Sequence, residues 1–143
     1  MRCNKLRYII FLFIVLVSLL FMNRLINIES YAKASNIGVK YEEAIKDSSK
    51  KVLIVFHTEW CGFCKRLIPK IEDIEPLYKN NYNFVIIDCD DPENKEIVEK
   101  YNIPAYPTLY VVNVRNGEAS RVNPYMTDSV KNLRKVLDSY ISK

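Results

Sequence analysis

The sequence has few of the residues that mark several broad classes of protein. Its 143 residues include only three glycines and six prolines, and they contain no internal repeat. This composition excludes a collagen-like, low-complexity or solenoid chain. The excess of positive charge lies in residues 1–34, which carry five Lys and Arg against one Glu. Residues 35–143 contain 16 basic and 16 acidic residues, so their charge is balanced. A domain of balanced charge offers no basic footprint for nucleic acid, so a nucleic-acid partner has no support.

The first 34 residues have the form of an export segment. Arg2, Lys5 and Arg7 precede an apolar run over residues 8–22, and this order favours a cytoplasmic N-terminus. A helix over the run would cover about 22 Å, which is shorter than a hydrocarbon core of roughly 30 Å. The apolar residues up to position 28 would extend it.

Two interpretations of residues 1–34 remain open. Ala32-Lys33-Ala34 has the small-x-small form of a signal-peptidase site, which favours a cleaved signal peptide. Without cleavage, residues 8–22 would be a signal anchor that holds the protein in the membrane. Both interpretations place residues 35–143 outside the cytoplasm, in a periplasm or on the outer face of the cytoplasmic membrane.

Residues 35–143 alternate strand and helix patterns, which predicts one α/β domain. The apolar runs Val52–Phe56 and Phe84–Ile87 are typical of buried strands, and the helical spacing between them predicts a parallel crossover. Thr108–Val112 is a third predicted strand, and Asn116-Gly117 turns the chain toward a fourth near Ala119–Val122. We therefore expect a central mixed β-sheet flanked by helices.

Two further helices are predicted after the second strand. Asp91-Pro92 begins a short one, because proline suits the first turn of a helix. The last segment places apolar residues on one face, and Thr127 or Asp128 is the expected N-cap of that helix.

A cysteine pair lies between the first strand and the first long helix, in Trp60-Cys61-Gly62-Phe63-Cys64-Lys65. This spacing places the two sulfurs one helical turn apart. If the helix begins near Cys61, that sulfur faces unpaired N–H groups and the positive end of the helix dipole, which favour the thiolate. Lowering a thiol pKa from about 8.5 to about 7 raises the thiolate share at neutral pH to about half. Cys61 is therefore the candidate nucleophile and Cys64 the resolving thiol.

These residues resemble the thioredoxin superfamily. The Trp-Cys-Gly-x-Cys-Lys core is followed by Pro69, where thioredoxins have a helix-kinking proline, and by Tyr106-Pro107-Thr108, which is similar to the family's cis-proline loop. The similarity covers roughly residues 40–143. It implies a thioredoxin-like fold and protein-disulfide oxidoreductase activity with a Cys61–Cys64 disulfide, without a metal or organic cofactor.

The resemblance also implies a substrate groove. Pro107 would have a cis peptide bond and lie against the cysteine pair, and the backbone of Tyr106, next to Thr108, would pair with an extended substrate segment. Trp60 would form a partly exposed aromatic lid. Gly62 and Lys65 are supporting members of the motif. Protein disulfides are the implied substrates, and a membrane or thiol electron donor is the implied source of electrons.

The sequence departs from thioredoxin at several positions. Val55 replaces a buried acid that accepts the proton of the resolving thiol, so that relay is missing. His57, the only histidine, and Glu59 are the alternative proton acceptors, since imidazole titrates near neutrality. Phe63 is similar to the aromatic residue of bacterial periplasmic disulfide isomerases. Cys89 lies among acidic residues that disfavour its thiolate, so we expect a spectator thiol.

Other functions remain open beside the reductase. An isomerase or oxidase would use the same dithiol chemistry, although no dimerisation module is evident and we expect a monomer. His57, Cys61, Cys64 and Cys89 are an alternative set of zinc ligands, which has one short ligand motif where structural zinc sites usually have two. A non-catalytic binding module of the same fold would not need two thiols at this spacing.

Overall fold

The computed structural model describes residues 12–19 and 38–142. The chain divides into two units, Met1–Asn36 and Ile37–Lys143. In the first unit, helix α1 covers residues 12–19 and has exposed side chains. Across the described parts of the chain, no helix is both long and apolar enough to cross a membrane. Both ends of the predicted apolar run 8–22, and the predicted cleavage site Ala32-Lys33-Ala34, lie outside the described residues.

The second unit contains a four-stranded mixed sheet in the order β2-β1-β3-β4. The central strand β1, Lys51–His57, pairs in parallel with β2, Tyr82–Asp88. It also pairs in antiparallel fashion with β3, Thr108–Asn113, which in turn pairs with β4, Glu118–Arg121. The predicted parallel crossover and antiparallel hairpin are both confirmed, and the last strand begins and ends one residue earlier than expected.

The helices connect these strands. The short α2 is Tyr41–Ala44, α3 is Gly62–Tyr78, α4 is Lys95–Tyr101 and α5 is Val130–Ile141. The helix predicted from Asp91-Pro92 begins as a 3-10 turn, Pro92–Asn94, and continues as α4. A second 3-10 turn, Pro124–Met126, precedes α5.

The expected N-cap of α5 was wrong by one or two residues. Ser129 caps this helix, because its Oγ accepts a hydrogen bond from the backbone N–H of Asn132 at 3.2 Å. The Thr127 hydroxyl instead donates to the Pro124 carbonyl at 2.7 Å, and an Asp128 carboxylate oxygen accepts from the side-chain amide of Asn132 at 2.8 Å. Both expected caps therefore have other partners.

The side chains of β1 alternate between two hydrophobic layers. Leu53 and Val55 pack with residues of α3 and α5, whereas the neighbouring side chains Ile54 and Phe56 pack with residues of α2 and α4. All four are fully buried, and burial of each such side chain contributes about 1.5–3 kcal/mol. The strand that leads into the cysteine pair is thus fixed from both faces.

Gly38, at the start of this unit, lies close to the backbone of Phe84 in β2, and its substitution tests this contact. Its φ is +100°, and an added Cβ would lie 2.5 Å from the carbonyl oxygen of Phe84. We expect Gly38→Ala to lower the free energy of unfolding by about 3 kcal/mol, because backbone strain and displacement of Phe84 combine. Urea unfolding of the full chain in mild detergent measures the change.

Gly117→Ala is the matched control for this substitution. Gly117 has a φ of +71° but no atom within 4 Å of an added Cβ, so only strain of about 1–2 kcal/mol is expected. Equal losses for the two variants would show that the contact with Phe84 has no effect.

Candidate functional site

The cysteine pair follows strand β1 and lies at the N-terminus of α3. Cys61 is the N-cap residue of this helix, with φ −74° and ψ 109°. Its Sγ accepts a hydrogen bond from the backbone N–H of Cys64 at 3.1 Å, and its carbonyl accepts from the N–H of Lys65 at 3.1 Å. The first of these bonds is the contact that stabilises a sulfur anion when the pair is reduced. The predicted helix start near Cys61 is confirmed.

Cys61 and Cys64 form a disulfide in this structure. Their Cα atoms are 5.2 Å apart, within the range that a disulfide bridges. Cys64 is 1% exposed and Cys61 is 5% exposed. Both cysteines are therefore buried, and the assignment of Cys64 as the resolving thiol stays a prediction.

Trp60, directly before Cys61, is part of an aromatic rim next to the disulfide. The Trp60 side chain is 69% exposed, and its ring meets that of Tyr106 edge to face with centroids 5.9 Å apart. The Tyr106–Pro107 peptide bond is cis, and the hydroxyl of Thr108 donates to the Ala105 carbonyl at 2.7 Å. The loop predicted to bind substrate therefore has the cis bond that the resemblance implied, and its contact with Trp60 is an additional finding.

Val55 and the two alternative proton acceptors differ in burial. Val55 is fully buried and pairs with Ile86 across β1 and β2. His57 is half-buried at the end of β1 and Glu59 is exposed. Within the described part of the chain, the His57 imidazole has no hydrogen bond or ion pair. Proton transfer by His57 or Glu59 therefore stays a prediction.

Cys89 is a free, half-buried thiol that follows β2. Burial, foremost, and the negative charges of Asp88 and Asp90 raise its pKa to about 11, while a hydrogen bond with Tyr106 opposes the shift. The thiol is therefore protonated at neutral pH, in agreement with a spectator. Among the described residues, no group of three or more His, Cys, Asp or Glu is placed to hold a metal ion, so the alternative zinc ligands are not brought together.

A cavity next to Phe63, the residue before Cys64, was not predicted from the sequence. Phe63 and Pro107 line it together with Arg66, Lys70 and Tyr125, and its volume is about 420 Å³. The Arg66 guanidinium lies over the Phe63 ring, 4.6 Å from its centroid. The i,i+4 spacing of Arg66 and Lys70 on α3 was a signal for one wall. Pro124-Tyr125, which stands where thioredoxins often have Gly at one side of the substrate groove, was a signal for the other.

Comparisons with known proteins match this chain to one family. The family model described as Thioredoxin matches residues 33–138. The chain belongs to the thioredoxin family. Among solved structures, thioredoxin O2 from Arabidopsis thaliana in the oxidised state has the same fold, with a TM-score of 0.58, 22% identity, and coverage of 75% of this chain and 95% of that chain.

Curated relatives of this thioredoxin-family chain include protein disulfide-isomerases. It is 42% identical over 71 residues to protein disulfide-isomerase 1 of Dictyostelium discoideum, which covers 48% of this chain and 20% of the relative. It is 33% identical over 84 residues to the probable protein disulfide-isomerase ER-60 of Schistosoma mansoni, which covers 59% of this chain and 17% of the relative. The chain thus spans about a fifth of the length of these relatives.

The raised pKa of Cys89 gives a test by alkylation. At pH 7.5 we expect iodoacetamide to modify Cys89 about a hundredfold more slowly in the folded, reduced protein than in urea, because its pKa is near 11 rather than its usual value of 9.0. The folded rate should rise as the pH approaches 11. Because the pKa of Cys89 is higher in the folded than in the unfolded protein, its deprotonation also lowers the free energy of unfolding as the pH rises from about 9 to about 11. Peptide mass spectrometry measures the rates, and equal rates in the folded and unfolded protein would contradict the burial of the thiol.

The same pH series tests His57. If the imidazole assists the thiolate, His57→Ala shifts the pH profile of Cys61 alkylation while that of Cys89 stays in place. An unchanged Cys61 profile would exclude the role.

Proposed function

We propose that this protein is a thiol-disulfide oxidoreductase that reduces or exchanges disulfides of other proteins. The observation that carries the proposal is the Cys61–Cys64 disulfide at the N-terminus of α3, in a chain that belongs to the thioredoxin family. The names of the curated relatives support the same reaction class. Protein disulfides are the proposed substrates.

The reaction begins with the reduced pair. The Cys61 thiolate attacks one sulfur of the substrate disulfide, which forms a mixed disulfide and releases the first substrate thiolate. Cys64 then attacks the Cys61 sulfur, gives up its proton and displaces the second substrate thiolate. Two electrons have moved to the substrate, and the Cys61–Cys64 disulfide remains. A thiol or membrane electron donor returns the pair to the dithiol.

The surrounding residues support these steps. Trp60 and Phe63 stand next to the cysteines in the chain as exposed aromatic side chains, and Gly62 begins α3 with no atom within 4 Å of an added Cβ. We assign the backbone of Tyr106, beside Pro107 and Thr108, to the binding of the substrate strand. Lys65 adds positive charge next to the pair. His57 and Glu59 are the proposed proton acceptors.

Substitution of each cysteine separates the two steps. We expect Cys61→Ser to abolish the reduction of insulin disulfides, because the attacking thiolate is lost. Cys64→Ser should instead accumulate a mixed disulfide, because nothing displaces the substrate from Cys61. Non-reducing electrophoresis detects this adduct, and Cys89→Ser is the matched control that should form none and retain activity. A Cys61→Ser variant of normal activity would overturn the assignment.

The direction of electron flow decides between the leading function and its alternatives. Reduction of insulin by the dithiol supports the reductase. Faster oxidation of a reduced protein, or repair of one with scrambled disulfides, would instead favour an oxidase or isomerase. Failure in all three assays would favour the non-catalytic binding module. We propose a monomer in each case, since no dimerisation module is evident in the sequence.

We also propose that residues 1–34 direct the domain out of the cytoplasm, as a cleaved signal peptide or an uncleaved anchor over residues 8–22. Expressed in a bacterium, the chain should be labelled by a membrane-impermeant maleimide after mild reduction. Leu16→Arg should reduce export, because an arginine at the centre of an apolar segment costs about 2.5–3.5 kcal/mol on insertion. Leu16→Phe is the control that keeps export.

Mass spectrometry of the exported protein distinguishes cleavage after Ala34 from an intact anchor. Equal labelling of the Leu16→Arg and Leu16→Phe variants would contradict the role of the apolar run.

A further inference from the structure

The cavity next to Phe63 has an aromatic wall and a basic wall. Phe63 is 69% exposed and Tyr125 is 84% exposed, although both are large aromatic side chains. The basic wall consists of Arg66 and Lys70, which lie one turn apart on α3. Pro107 lines the same cavity. The cavity is therefore continuous with the loop to which we assign substrate binding.

The charge of the cavity is only partly balanced. Asp128 is the one carboxylate that lines it, and a carboxylate oxygen of Asp128 accepts from the side-chain amide of Asn132 at 2.8 Å. The Lys70 ammonium donates to the backbone carbonyl of Asp128. Within the part of the chain that the structure describes, the sole ion pair joins Lys95 and Glu99 on another helix. The Arg66 guanidinium therefore has no carboxylate partner there.

The position of Arg66 over the Phe63 ring, 4.6 Å from its centroid, influences what it can bind. A guanidinium that lies over an aromatic ring still has N–H groups that match the two oxygens of a carboxylate. Arg66 thus places carboxylate-binding donors next to exposed aromatic surface. An isolated exposed arginine would not be oriented in this way.

We propose that this cavity selects substrate proteins in which an aromatic residue and an acidic residue lie beside the reactive cysteine. The aromatic side chain packs between Phe63 and Tyr125, and the carboxylate binds the Arg66 guanidinium, with Lys70 adding to the positive potential. The inference rests on the proposed oxidoreductase function and names the class of substrate that it favours. Arg66, Lys70 and Tyr125 are then specificity-determining residues outside the dithiol.

Two disulfide-containing peptide probes test the selection. They share one sequence with Phe beside the cysteine and differ only in the next residue, which is Glu in one and Lys in the other. Stoichiometric reduced full-length protein supplies the two electrons, so the second-order rate constant of a single turnover is measured without another reductant. We expect the Glu peptide to react about fivefold faster, and raising the salt from about 0.05 to about 0.5 M to shrink this ratio toward one.

Substitutions of the residues that line the cavity test whether the cavity is responsible for the selection. Arg66→Gln should bring the Glu-to-Lys rate ratio close to one, and Lys70→Gln should lower it partly. Tyr125→Ala should lower the rate for Phe peptides relative to matched Gly peptides without changing the Glu-to-Lys ratio. Arg121→Gln is the control, because it removes one positive charge from an exposed position of β4. Its Glu-to-Lys rate ratio should equal that of the unaltered protein.

The failures of the two proposals are distinguishable. Equal rates with the Glu and Lys peptides would overturn the selection and leave the oxidoreductase function in place. A ratio that survives Arg66→Gln, or that falls equally in Arg121→Gln, would also overturn it. If the reduced protein reacts with neither peptide nor with insulin, the oxidoreductase function itself is overturned.

Discussion

The hydrogen bond from the backbone N–H of Cys64 to the Cys61 sulfur, 3.1 Å long, is the interaction on which the chemistry of this protein depends. It exists because Cys61 occupies the N-cap position of α3, where a helix has N–H groups without partners in the helix itself. The sulfur takes the place that a Ser or Asp oxygen has in other helices. The end of the helix therefore stabilises the charged form of the nucleophile and also fixes the distance to the second cysteine.

That position is held by the strand before it. β1 is buried from Val52 to Phe56, with two layers of side chains packed on its opposite faces and a neighbouring strand at each edge. A strand fixed in this way has no freedom to shift its end. Moving the end of this strand would break buried contacts on both faces, so the packing of β1 holds the position of Cys61.

The sequence was sufficient for features that depend on local patterns, and insufficient for those made by distant residues. The buried strands, the start of α3 and the cysteine pair all follow from spacing and residue type along one segment. The N-cap of α5 was misplaced because Thr127, Asp128 and Ser129 are all good caps, and their side-chain partners decide between them. The cavity beside Phe63 was missed since it joins α3 to residues about sixty positions away, a proximity that only the folded sheet creates.

The burial of Cys64 limits how its proton can leave. Cys64 is 1% exposed, and Val55, where the family resemblance would place a carboxylate, pairs with Ile86 in the sheet. Burial disfavours the charged form of a thiol, and no acid at position 55 is present to accept the proton. Proton loss is then coupled to the attack on Cys61, and the departing substrate thiolate or a group at the rim must take the proton. The second step of exchange consequently depends on what the substrate brings, so residues that choose the substrate also affect the rate at which it is released.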